Sequence, residues 1–368
     1  MLKIVYFFRV KLLKRFIFAL VLTKYLKKMK KNLRNILALS LGLMTTVAFA
    51  QDWNADSRTR IDMSENMGNE DKMTTSQRAT IGATWGGSNW GIHVSSDVNY
   101  MLGVTGNELS ANIYEAYAST DLMGYASMTA GRQALNYGSG ALISSNDWAT
   151  SRTTWDGLTF GLNLDMADIT IGYASHNSAL TAGEDVGNMH ANIGGEFSGW
   201  NVNFLYMTEE GTGNDDAATG IDISGSVAGA GLSASMNTDF SGNEMRVLGL
   251  TYAVNDDMGV HASQTTYSDE GDFNMAGTNM DGSWMETGSI GYLDAGSEML
   301  SYGLTYNMSG ISLGATMHNV TNTLDESIER DVTEISLGYS LNDNAGLSLS
   351  MIDDAETKYM WLTLNLGL

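Results

Sequence analysis

Apolar and polar residues alternate along most of the chain after residue 50, and the final segment, KYMWLTLNLGL, shows this most clearly. One set of alternating positions in it is Met360, Leu362, Leu364, Leu366 and Leu368. The positions between them are Trp361, Thr363, Asn365 and Gly367. Because successive side chains of a strand point to opposite faces, the segment predicts a strand with one apolar face and one mostly polar face.

The same period of two recurs along the mature part of the chain, for example in 89–100, 158–164, 200–206, 300–306, 311–317 and 335–341. No long helical period follows residue 50, which favours an all-β fold. Short connections rich in Gly, Asn and Asp are typical of hairpins, and lie at 86–89, 165–168, 198–199, 255–259, 309–310 and 342–346. Long acidic connections largely alternate with them, at 62–72, 133–152, 209–220, 268–297 and 321–331.

Short turns at one end and long loops at the other are typical of bacterial outer-membrane barrels. We therefore predict a closed antiparallel transmembrane β-barrel of about eighteen strands, with short periplasmic turns and long acidic extracellular loops. Misreading the weak pair in 219–239 would reduce the number to sixteen. The segment 282–293 is assigned to a loop, because one added strand would break the even number. The predicted strands cover 53–64, 75–86, 89–100, 111–119, 124–132, 154–164, 168–176, 188–197, 200–208, 219–227, 231–239, 244–253, 258–267, 298–307, 311–319, 331–341, 346–353 and 357–368.

The apolar strand faces are expected to contact lipid. Several of them carry aromatic residues toward their ends, as the two interfacial girdles of a membrane barrel require, among them Trp90, Tyr100, Trp200 and Tyr206. The opposite faces are rich in Gly, Ser, Thr and Asn, which suits a wet lumen. A water-soluble β-sandwich, whose inner faces also alternate, is the alternative.

The first fifty residues differ from the rest. Residues 29–50 have the charged start, apolar stretch and small-x-small end of a signal peptide, with cleavage predicted after Ala50. Residues 1–28 are interpreted as upstream sequence from a misassigned start, with an extended signal as the alternative. The domain prediction is thus a signal peptide at 29–50 and a single barrel at 51–368, in the outer membrane of a Gram-negative bacterium.

Composition narrows the functional classes. The chain has no cysteine, which excludes disulfides and thiolate chemistry, and no proline, which suits a chain made mostly of ladders. Residues 51–368 carry nine basic and 42 acidic side chains. This argues against nucleic acid as a partner and favours cations near a pore mouth.

The stretch GRQALNYGSGALISSNDWATSRTTWDGLTF, residues 131–160, resembles the alginate-export and related porin families of Gram-negative outer membranes. The resemblance implies an eighteen-strand channel for a polar or charged solute. The scarcity of basic residues makes a polyanion the less favoured cargo. The matching residues are Gly131, Arg132, Gln133, Tyr137, Gly138, Ser145, Asp147, Trp148, Arg152, Asp156 and Gly157.

The 133–152 loop is the leading candidate for a constriction that folds into the lumen, with an outward surface loop as the alternative. Asp147 facing Arg58, Arg60 and Arg132 would set a transverse field across the pore. Alternatively, Arg132–Asp147 and Arg152–Asp156 are structural pairs. The residues expected to line the pore or its constriction are Arg58, Arg60, Arg78, His93, Asp97, Arg132, Asp147 and Arg152.

These patterns predict a porin that lets small hydrophilic solutes diffuse passively, with a preference for cations. Alternatives are a channel specific for sugars, to which Tyr359 and Trp361 could stack, polyanion export, or a non-channel barrel acting as an adhesin or enzyme. No catalytic residue, metal site or cofactor is predicted. Expected partners are outer-membrane lipid and lipopolysaccharide, the barrel-assembly machinery, the solutes themselves and further copies in a homotrimer.

Overall fold

The computed structural model describes residues 52–65, 73–103, 109–176, 187–210, 217–355 and 357–367. The predicted signal peptide, the upstream segment 1–28 and Leu368 lie outside these residues. Among the described residues, no helix is long and apolar enough to cross a membrane.

Eighteen antiparallel strands form one sheet in which each strand pairs with its neighbours in sequence. The strands are β1 Asp52–Asp62, β2 Thr74–Gly86, β3 Trp90–Met101, β4 Ser110–Leu122, β5 Ala126–Gln133, β6 Trp155–Leu164, β7 Ala167–His176, β8 Gly187–Phe197, β9 Trp200–Glu210, β10 Ala217–Val227, β11 Ala230–Thr238, β12 Glu244–Ala253, β13 Met258–Tyr267, β14 Ser297–Met308, β15 Ile311–Asn322, β16 Glu329–Asn342, β17 Ala345–Asp354 and β18 Thr357–Gly367.

The sheet closes on itself, because β1 pairs with β18 from Asp56 opposite Gly367 to Asp62 opposite Trp361. Closure leaves no unpaired edge, which a lipid environment requires. The predicted eighteen strands are confirmed, and sixteen is wrong. The segment 282–293 forms no strand, as predicted, but contains a four-residue helix, α1, Trp284–Thr287.

The two faces of the strands follow the predicted alternation. In β3, Trp90 and Ile92 are 53% and 44% exposed. Ser95, Asp97 and Asn99, at the positions that alternate with this face, are buried. In β18, Leu366 is exposed, and Trp361 and Thr363 are buried. The apolar positions therefore lie on the outside of the barrel, where a soluble protein would expose polar residues.

The buried cores lie inside the lumen, between the wall and two long connections. One core joins Leu142 and Ile143, which follow β5, to Leu205, Met207 and Met245 of the wall. The other core packs Trp284 of α1 against Val332, Ile352 and Trp361. The connections that follow β5 and β13 are thus parts of the barrel interior.

Candidate functional site

The connection between β5 and β6, residues 134–154, crosses the lumen and is called here the crossing loop. Its residue Ile143 is fully buried in the core formed with Leu205 and Met207 of β9. A few residues later, the carbonyl oxygens of Asp147 and Ala149 accept hydrogen bonds from β1 and β2. In a closed ring of eighteen strands β9 is eight strands from β1, so the loop reaches from one wall to the nearly opposite one.

The connection between β13 and β14, residues 268–296, is called here the bracing loop because it supports the crossing loop. The Tyr292 hydroxyl donates to the Ala141 carbonyl oxygen at 2.8 Å. The Trp148 indole N–H donates to the Met285 carbonyl oxygen at 3.1 Å. Burial raises the pKa of Tyr292, so its hydroxyl keeps the proton that it donates. The two loops therefore fold into the lumen as one assembly.

Helix α1 attaches the bracing loop to the wall. Its Trp284, 2% exposed, donates its indole N–H to the Asp354 Oδ2 of β17 at 2.8 Å. The same carboxylate accepts from Arg330 Nε at 2.6 Å. A capping box between Ser283 and Glu286 begins the helix, which satisfies backbone donors that would otherwise lack partners.

Three arginines of the wall hold the tip of the crossing loop and form, with Arg152, the arginine cluster. Arg58 Nη1 and Arg78 Nη1 donate to the Asp147 carbonyl oxygen at 2.8 and 2.9 Å. The Arg60 guanidinium lies 3.5 Å above the Trp148 ring, in a cation–π contact. All three side chains therefore point into the lumen, as predicted. Their guanidinium N–H groups donate to backbone carbonyl oxygens of the loop.

Arg152, at the return of the crossing loop, joins two carboxylates. Its guanidinium donates to Asp97 of β3 at 2.6 and 3.0 Å and to Asp147 at 3.2 Å. It also lies 3.3 Å from the Tyr114 ring centroid. Burial alone would lower the pKa of Arg152, but the hydrogen bonds and charge of Asp97 outweigh it and raise the pKa, so the group stays cationic.

Arg132 does not line the lumen, contrary to the sequence-based expectation. It pairs with Asp156 at 2.6 and 2.7 Å. Both residues lie on the outer face, because the adjacent pair, Gln133 and Trp155, faces the lumen. Asp156 shares this outer face with Phe160, and no register shift interrupts β5 and β6. Both predicted structural pairs are also wrong, because Arg132 pairs with Asp156 and Arg152 with Asp147.

A bulge in β4 adds lumen residues that the strand pattern did not reveal. The register shifts between Ser95 and Ser96, so Tyr114 is an extra residue. Both Tyr114 and its neighbour Glu115 then contact lumen side chains. The predicted lumen residue His93 lies 3.7 Å from the Glu115 carboxylate. Strict alternation could not have placed two successive side chains on one face.

The aromatic residues of β18 are covered by the loops. Trp361 stacks on Tyr359 with ring centroids 5.5 Å apart and meets Trp148 edge-on at 5.0 Å. Only 2% of Trp361 is exposed. The expectation that it would stack on a sugar in the lumen is therefore wrong, since Trp148 of the crossing loop and Tyr359 cover it.

Below the loops the lumen is open. Toward the short turns, inward-facing Asn163, Asn201 and Ser224 are exposed, whereas at the level of the loops the inward-facing Thr80 and Ser95 are buried. The barrel is thus narrowed where the loops enter and wide toward the turns. Among the described residues, no group of three or more His, Asp or Glu side chains could hold a metal ion.

Comparison with solved structures shows the same fold. The outer membrane protein OpdK of Pseudomonas aeruginosa superimposes with a TM-score of 0.65 at 10% identity, over 87% of this chain and 100% of that one. OpdK with vanillate gives 0.66 at 11%, over 87% and 99%. OccAB2 of Acinetobacter baumannii gives 0.66 at 10%, over 87% and 98%. No protein-family model and no curated protein matches the chain, so the alginate-export resemblance is not shown.

Proposed function

We propose that this protein is an outer-membrane channel for passive diffusion of small hydrophilic solutes in a Gram-negative bacterium. The observation that carries the proposal is the insertion of two long loops into a polar lumen that is open toward the short turns. A barrel of this strand number is wide enough to leave an aqueous interior, and inserted loops set the size of solute that passes. Barrel architecture shared with OpdK, an outer membrane protein, supports the location.

A transport role is favoured over an enzymatic or adhesive one. The loop residues that enter the lumen are held by backbone carbonyls and packed side chains, an arrangement that shapes a passage. Two lumen histidines each contact a carboxylate and a hydroxyl: His93 meets Glu115 and Thr84, and His318 meets Glu334 and Ser301. Catalysis would require a hydroxyl that a substrate can reach and a carboxylate that orients the histidine. Ser301 is only 4% exposed, and the Glu115 carboxylate is 3.7 Å from His93, beyond hydrogen-bond distance.

A second candidate is uptake of solutes that carry a carboxylate. Four arginines meet at the crossing loop, where Arg58 and Arg78 donate to the Asp147 carbonyl oxygen and Arg152 pairs with the Asp97 and Asp147 carboxylates. Arginine is well suited to planar carboxylates because its donors form a matching fork. One similar barrel, OpdK, was solved with vanillate, a carboxylate. This cluster opposes the cation preference expected from the acidic loops.

Residues 51–368 in a planar bilayer under a KCl gradient test the proposal. Stepwise conductance supports a channel, and its absence would sink it. A cation-selective reversal potential would mean that the acidic loops dominate, whereas an anion-selective one would mean that the arginine cluster does. The variant Arg246→Met, on the outer face, is the control for loss of one positive charge away from the lumen.

A further inference from the structure

The wall across the lumen from the arginine cluster contains a cavity of about 700 Å³. Strand register builds this wall from lateral rows of small polar side chains. Asp222 of β10 lies between Asn203 of β9 and Ser235 of β11. One step toward the turns, Ser224 lies between Asn201 and Ser233.

The lining carries negative but no positive charge. Asp222 and Glu196 are its carboxylates, and no Lys, Arg or His is among the described lining residues. Asp222 Oδ1 and Asn203 Nδ2 are both buried and have no hydrogen-bond partner among the described residues. A buried acceptor without a donor costs free energy unless a ligand or water supplies one.

Part of the cavity lining is apolar, and both inserted loops contribute to it. Ala141 of the crossing loop and Met280 of the bracing loop face it, beside Met245 and Val247 of β12. The site thus combines a carboxylate with methionine and valine side chains that suit a short hydrocarbon body.

The crossing loop approaches the carboxylate closely at Gly138. A Cβ atom there would lie 1.9 Å from Asp222 Oδ2, and the backbone has φ +56°. Only glycine fits this approach without strain. The Ser139 hydroxyl, next along the loop, is 3.3 Å from that of Ser235. The loop and the wall therefore form one site.

We propose that this cavity is a binding subsite for a small organic cation, a primary ammonium on a short apolar chain. The inference rests on the proposed channel function and names a solute class for one part of the lumen. An ammonium supplies donors to Asp222 and the surrounding serines, and it offsets the uncompensated charge of Asp222. Its hydrocarbon chain packs on Met245 and Met280.

The test is block of the channel current by 1,4-diaminobutane, with 1,4-butanediol as a neutral solute of the same length. Wild-type protein should show concentration-dependent block by the diamine, and Asp222→Asn should weaken it about tenfold, the effect of losing one charge-assisted contact. Equal block by the diol would overturn the assignment of an ammonium.

The matched control is Asp168→Asn. Asp168 lies in the same lateral row as Asp222, through Gly194 and Asn203, but does not line the cavity. This variant removes the same charge from another lumen-facing position, closer to the short turns. An unchanged block in this variant supports a localised site, whereas equal weakening in both variants would mean a general field and would overturn it.

Calorimetric titration of the detergent-purified protein with 1,4-diaminobutane separates the subsite from the channel. Binding that depends on Asp222 but not on Asp168, without conductance, would leave the subsite standing and sink the channel. Conductance without Asp222-dependent binding would do the opposite.

Discussion

The Arg78 guanidinium donates to the Asp147 carbonyl oxygen at 2.9 Å across 69 positions of sequence and ties the barrel wall to the crossing loop. A second donation, to the Ala149 carbonyl oxygen at 3.1 Å, holds the same turn. Hydrogen bonds to a charged group contribute about 1.5–3 kcal/mol each. This contact is therefore a main restraint on how far the loop blocks the lumen.

Replacing Arg78 by methionine should loosen the crossing loop, because the Asp147 and Ala149 carbonyl oxygens each lose one charged donor and keep that of Arg58. We expect larger and noisier single-channel currents, and a shift of the reversal potential toward cations. Bilayer recording checks both. Arg246→Met removes an arginine from the outer face, where Arg246 pairs with Glu244, and should change neither quantity. Equal currents in Arg78→Met and wild type would show that the other contacts of the loop hold it without Arg78.

Replacing Trp284 by alanine should release the bracing loop from β17. Its indole is buried and hydrogen-bonded to Asp354, and truncation of a core tryptophan costs about 3–5 kcal/mol. We expect faster proteinase K cleavage within 268–296. Trp284→Phe keeps most of the bulk and loses the hydrogen bond, so its cleavage rate should lie between the two. Cleavage of Trp284→Ala at the wild-type rate would contradict this role.

Replacing Gly131 by alanine should impair barrel assembly. The backbone there has φ +127°, and a Cβ atom would lie 2.2 Å from the Ala116 carbonyl oxygen of the neighbouring strand. We expect a smaller folded fraction in heat-modifiability gels. Gly346→Ala is the matched control, because its nearest obstacle is 4.0 Å away. A similar folded fraction in both variants would overturn the steric argument.

Acid should loosen helix α1. The hydrogen bond from the Ser283 side chain, followed by that from the Ser283 backbone, lowers the pKa of Glu286. A carboxylate with a lowered pKa stabilises the folded state above its unfolded pKa of about 4.3 and loses that contribution as the pH falls through the folded value. We expect current noise to rise as the pH falls below the unfolded pKa of about 4.3. In Glu286→Gln this part of the pH dependence should be missing.

Placing arginine at two adjacent residues of β12 should affect the amount of folded barrel differently. Leu250 is exposed on the outer face, and the next residue, Thr251, faces the lumen. Arginine on the lipid face near the midplane of a barrel costs about 2–4 kcal/mol. We expect Leu250→Arg to reduce the amount of folded barrel in outer-membrane vesicles, and Thr251→Arg to leave it unchanged. Equal amounts would argue against a lipid environment.

Sequence patterns predicted the strands well but left out much of the site. The predicted strands match those observed within a few residues, from Asp52–Asp62 to Thr357–Gly367. The bulge at Tyr114 and the cavity beside Asp222 were missed, because both depend on how neighbouring strands pair and not on the residue types within one strand. The bracing loop did carry a signal. Several of its residues are too apolar for a solvated loop tip and indicate a segment that packs inside, namely Phe273, Met275, Met280 and Trp284.

By itself the sequence determined the number of strands, which side chains share a face, and that the leucines face outward. It could do so because the two-residue period of a strand is a local property of the backbone. Only the tertiary structure decided which carboxylate each arginine meets. Arg152 contacts Asp97 and Asp147, and Arg132 contacts Asp156 on the opposite surface. These pairs depend on the path of a loop through the lumen and on register across several strands, so contacts between distant segments select them.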